Sequence, residues 1–147
     1  MITSKQEFRE YLLADKLALR RDRKRPRLND LIWKYEIALR KCEYYNNCRK
    51  DILGKLGGGL HRYFRFKLGI KCGFSIPINT CGKGLCIEHM GSVVISEKAT
   101  LGNNCKIHVG VNIGADARQR NAYPHIGNNV YIGPGAKILE TLRLQII

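Results

Sequence analysis

Residues 89–138, HMGSVVISEKATLGNNCKIHVGVNIGADARQRNAYPHIGNNVYIGPGAKI, carry an aliphatic side chain at every sixth position. Ile95, Leu101, Ile107 and Ile113 keep that step, and after an insertion of seven residues beyond the next step it resumes at Ile126, Ile132 and Ile138. Small or apolar residues (Val93, Ala99, Cys105, Val111, Val130, Ala136) hold a second position of the same repeat. A step of six is neither the spacing of an amphipathic helix nor the alternation of a half-buried strand. It is the pattern of stacked coils in which each hexad is a short strand plus a turn, the aliphatic pointing inward and the next residue, often glycine (Gly102, Gly114, Gly127, Gly133), making the bend. Three hexads make one coil, and a coil buries its inner face only against a neighbour, so the first coil needs a cap. His89 stands six residues before Ile95, where the pattern calls for an aliphatic. A histidine in such a column is the first place to look for chemistry.

Before residue 70 the spacing is helical. Ser4 and Glu7 have capping-box spacing, and Phe8, Leu12, Asp15 and Leu19 follow, which predicts a helix to about Arg21, stopped before Pro26. Asn29 or Asp30 caps a second helix to about Tyr45, in which Leu28, Ile32, Tyr35, Leu39 and Cys42 form one stripe. A third stretch, 49–56, is expected to break at Gly57, Gly58 and Gly59 and to resume over 60–68. The expected class is α+β: a helical region over 1–70, a natural cap for the first coil, and a repeat domain over 71–147.

The chain has 147 residues and a formal charge of +14. Residues 1–70 hold 18 Lys and Arg against 8 Asp and Glu, densest in RRDRKRPR at 20–27. Without interleaved aromatics or a recognised motif this run is a weak nucleic-acid signal, and it reads first as a solvated linker or a surface that attracts an anionic ligand or lipid headgroup. No apolar run approaches a membrane span and MITSKQEF lacks the apolar core of a signal peptide, which points to a cytoplasmic protein. The six cysteines (Cys42, Cys48, Cys72, Cys81, Cys86, Cys105) have no CxxC or paired Cys/His spacing, so they read as buried reduced thiols and no metal site is expected.

Four segments in order, FSIPINT, GKGLCIEHMGSVVIS, NCKIHVGVNIG and PHIGNNVYIGPGAKI, give residues 74–138 a resemblance to the hexapeptide-repeat acyltransferases. They are most similar to the serine acetyltransferase family, including its shorter members from capsule and surface-polysaccharide gene clusters. The resemblance implies a left-handed parallel β-helix, a homotrimer or a dimer of trimers, and transfer of acetyl from acetyl-CoA to a hydroxyl, foremost that of serine. A sugar hydroxyl in surface-polysaccharide synthesis, or a non-catalytic repeat protein, are the alternatives.

His89, in EHMGSVV, matches the family's catalytic histidine. Imidazole has the pKa to take a proton from an attacking alcohol near neutral pH. Glu88 matches an acidic residue that contacts the amino-acid acceptor, and Tyr123 falls in the loop that helps hold the acceptor. Gly114, Ala115, Gly133 and Pro134 match places where small residues let the backbone approach the pantetheine arm, and Lys137, Arg118 and Arg120 are candidates for CoA phosphates. His108 is expected to face outward, with no role beyond acceptor contact. Three departures stand out. Phe74 occupies the place of the carboxylate that orients the family's histidine, and Ala122 and Tyr123 replace an Arg-His pair. After Ile138 the step of six is read as lost in ETLRLQII, so a C-terminally truncated chain with weak or absent acetyl transfer is expected.

Overall fold

A computed structural model describes residues 1–114 and 123–139, with the backbone of 143–144. Three helices come first: α1 (Lys5–Ala18), α2 (Leu31–Cys48) and α3 (Ile52–Cys72). Each starts on the side chain that satisfies its free N–H groups. Ser4 accepts from the Glu7 N–H, Asp30 from Trp33 and Asp51 from Gly54. Helix α1 stops earlier than its spacing predicts. The Arg21 N–H reaches back to the Lys16 carbonyl across Arg20, whose φ of 55° is left-handed, and this closes the helix as a Schellman turn. Helix α2 continues past Tyr45 to Cys48.

The expected break at Gly57–Gly59 does not occur, and α3 runs through it for 21 residues. A Cβ on Gly57 would lie 2.8 Å from the Tyr45 ring, and one on Gly69 would lie 2.8 Å from the Phe74 carbonyl oxygen. These glycines supply absent side chains for close packing rather than backbone freedom. Gly73, with φ of 80°, ends α3 in the left-handed conformation and turns the chain into β1.

From there the chain visits three parallel sheets in rotation. The first holds β1 (Phe74–Ser75), β3 (Val93–Ile95), β6 (Asn112–Ile113) and β9 (Lys137–Ile138). The second holds β4 (Thr100–Leu101), β7 (His125–Ile126) and β10 (Arg143–Leu144), and the third β2 (Cys86–Ile87), β5 (Lys106–Ile107) and β8 (Tyr131–Ile132). The register stacks the aliphatics: Ile95 on Ile113 on Ile138, Leu101 on Ile126, and Ile87 on Ile107 on Ile132. All of these are buried and form one continuous core with Val93, Ala99, Cys105 and Val111.

Two readings of the repeat are corrected. The column position taken for His89 belongs to Ile87, which is fully buried while His89 is exposed. Nor is the step lost after Ile138: Leu144 stands six residues on and pairs with Ile126.

The open end of the first coil is closed by the helices. Arg40, fully buried on α2, donates to Asp15 (2.7 Å), to Glu43 (3.0 Å) and to the carbonyls of Cys81 and Gly82 (2.9 and 2.6 Å). The edge N–H groups find carboxylates in turn: Gly84 and Leu85 donate to Asp15, Asn79 to Glu43 and Ile87 to Glu36. A strand edge that would otherwise face a neighbour unpaired is thus satisfied by three acids and one guanidinium.

Candidate active site

The turn between β2 and β3, joining the third sheet to the first, carries Glu88, His89, Met90 and Gly91. Eight residues separate Ile87 from Ile95 instead of six, and the surplus bulges outward, leaving His89 and Met90 exposed. Gly91 pins the bulge. Its φ of 137° is open to glycine alone, its N–H donates to the Cys72 carbonyl at the end of α3 (2.8 Å), and a Cβ there would run into Val109.

The next coil places His108 at the same corner. The two imidazoles lie 4.9 Å apart between centroids, tilted by 60°. His108 Nδ1 accepts the Val109 N–H at 3.0 Å, so the neutral His108 ring keeps its proton on Nε2. Beside them Glu88 is ion-paired with Lys106, and that hydrogen bond, foremost, holds the Glu88 carboxyl below its usual range. Cys86 is nearby, yet burial pushes its thiol up to about 11, so at neutral pH it is protonated and a poor nucleophile.

The remaining sequence-selected residues divide between two corners. Gly133 and Pro134 follow β8 at the same corner as His89, two coils away, roughly 10 Å at the spacing of paired strands. Lys137, on β9, donates to the Gly110 carbonyl (2.7 Å). Gly114 and Tyr123 lie instead between the first and second sheets, where the Tyr123 hydroxyl accepts from Lys98 (2.9 Å). Within one chain they do not meet His89. Ala115, Arg118, Arg120 and Ala122 lie outside the described residues. Phe74 is buried edge-on against Tyr35, 5.1 Å between centroids, so nothing acidic stands at its place. Among the described residues no group of three or more His, Cys, Asp and Glu is placed to hold a metal.

The sequence spacing did not show what faces His89 from the helical side. Arg21, Arg27 and Asp30 join Glu88, His89 and Met90 around a groove of about 610 Å³. Asp30 caps α2 and binds Arg21 (2.7 Å).

No family model matches the chain. A curated serine acetyltransferase of Staphylococcus epidermidis is 33% identical over 115 residues, which are 78% of this chain and 49% of that protein. Over its matched residues the chain belongs to the serine acetyltransferase family. The chain spans about half the length of that relative. Among solved structures, soybean serine acetyltransferase without ligand is 25% identical, with a TM-score of 0.65 over 92% of this chain and 56% of that one. The Neisseria gonorrhoeae serine acetyltransferase in complex with serine is 26% identical, with a TM-score of 0.60 over 95% and 58%. Each of these two structures covers more than nine-tenths of this chain, so the match takes in helices and parallel strands together.

Proposed function

We propose that the chain acts as an O-acetyltransferase, moving acetyl from acetyl-CoA to the hydroxyl of serine, with His89 as general base. The observation that carries the reading is an exposed histidine, in the segment that matches the serine acetyltransferases, at the mouth of a groove large enough for a small-molecule ligand. His89 takes the hydroxyl proton as that oxygen attacks the thioester carbon. The C–S bond then breaks and the imidazolium returns the proton to the departing thiolate of CoA. With both substrates bound together no covalent intermediate on the protein is needed. In this reading His108 is the polar neighbour that orients the His89 ring, in the absence of a carboxylate at position 74.

The coils are read as a left-handed parallel β-helix, capped by the helical region and assembled as a homotrimer. Two observations support assembly. Gly114 and Tyr123 occupy a different corner from His89, so a site that uses both needs two copies. Helix α3 also exposes Leu56, Leu60, Tyr63, Phe66 and Ile70 on one face, apolar surface of the kind that protein contacts cover. Gly133, Pro134 and Lys137 are the proposed path for CoA. Six unpaired thiols fit the reducing cytoplasm, and no described helix is long and apolar enough to cross a membrane.

Thiol release from acetyl-CoA in the presence of serine tests the proposal. His89→Asn is expected to lower kcat by about 10²- to 10⁴-fold, the usual contribution of a positioned base. Transfer at an undiminished rate would remove His89 from the mechanism.

A further inference from the structure

The groove beside His89 carries one charge with no partner of opposite sign among the described residues. Of its two carboxylates, Asp30 is bound to Arg21 (2.7 Å) and Glu88 to Lys106. Its other guanidinium, Arg27, is exposed and has no carboxylate partner among the described residues. The linker that bears it, residues 20–27, holds six Lys and Arg against one Asp, so the field at the groove is positive. A guanidinium recognises carboxylate and phosphate through two parallel N–H donors.

We propose that Arg27 is the acceptor's anion anchor: the molecule whose hydroxyl faces His89 also carries a carboxylate or phosphate, which Arg27 binds from the helical side of the groove. This rests on the acetyltransferase reading and extends it to the recognised substrate class. The groove, about 610 Å³ and open to solvent, has room for an anionic sugar as well as for serine. Arg27 is a binding residue here. It holds the hydroxyl in place and takes no part in proton transfer.

Thiol-release kinetics on the intact chain separate the cases, with L-serine, its carboxylate-free analogue serinol, glucuronate and glucose 1-phosphate as acceptors. Arg27→Ala is expected to raise KM for the anionic acceptors by about tenfold to a hundredfold, the range of a charge-assisted hydrogen bond, with little change in kcat and none in KM for serinol. Arg25→Ala removes the same charge from the same linker outside the groove and is expected to leave KM near its original value. Which anionic acceptor responds most to Arg27→Ala identifies the source of the anion. Equal KM values for Arg27→Ala and the unaltered protein, or an equal rise with Arg25→Ala, would overturn the proposal. If no acceptor supports thiol release, the acetyltransferase reading fails by itself. Titration calorimetry with L-serine and glucose 1-phosphate then still decides on Arg27: binding lost in Arg27→Ala supports the anchor, and binding unchanged or absent in both proteins refutes it.

Discussion

Glu36 shows how a single side chain couples the cap to pH. Its Oε1 accepts the Ile87 N–H at 3.1 Å while Oε2 is buried with no partner, and burial first, then the charge of Asp15, pushes its pKa well above 4.5. The raised folded-state value fixes the sign. Below about pH 4.5 the group is protonated whether the chain is folded or not, and it has no effect on stability. As pH rises the unfolded chain ionises first, so the folded state loses stability until its own pKa is passed. Glu36→Gln keeps an acceptor for Ile87 and removes the ionisation. Its urea midpoint is expected to match the unaltered protein at pH 4 and to exceed it at pH 8; a gap independent of pH would show that Glu36 does not titrate in this range. Arg40 presents the opposite case. Arg40→Met strands the buried carboxylates of Asp15 and Glu43, and a loss of about 3–5 kcal/mol is expected from denaturant unfolding at pH 7. A loss below about 1 kcal/mol would mean that water reaches the pair.

At the scale of elements, α3 separates two uses of glycine. A Cβ on Gly59 would meet nothing within 4 Å, whereas one on Gly57 would meet the Tyr45 ring at 2.8 Å. Gly59→Ala is therefore expected to raise stability by about 0.5–1 kcal/mol through helix propensity, and Gly57→Ala to lower it through overpacking. Thermal melts of both variants check the pair, and stabilisation by both would deny the close α2–α3 contact. The same glycines explain what the sequence conveys and what it hides. The step of six is a local pattern, so the inward residues from Ile95 to Ile138 are legible one hexad at a time. A glycine run looks the same whether it serves flexibility or contact, because the deciding ring, Tyr45, belongs to another helix. His89 is the subtler case. Six residues back from Ile95 falls inside an eight-residue interval, so counting lands on the bulge and misses Ile87. The histidine drew attention by its type, while its place in the repeat belongs to Ile87.

For the molecule as a whole, the groove and the cap both arise where helices meet coils, and neither has a local signature: Arg27 and His89 lie far apart in the chain, as do Asp15 and Leu85. The cap also bears on the order in which the chain can fold. Asp15 and Leu85 are 70 residues apart, whereas one coil meets the next across 18 to 25 residues, as from Val94 to Asn112 and from Thr100 to His125. The costly long-range closure is thus made once, by helices synthesised first, and every later coil adds by a shorter loop onto a surface already in place. Growth of the stack has a direction. Weakening the cap should slow folding, while weakening a coil far from it should chiefly speed unfolding, so different parts of one continuous core carry different kinetic duties.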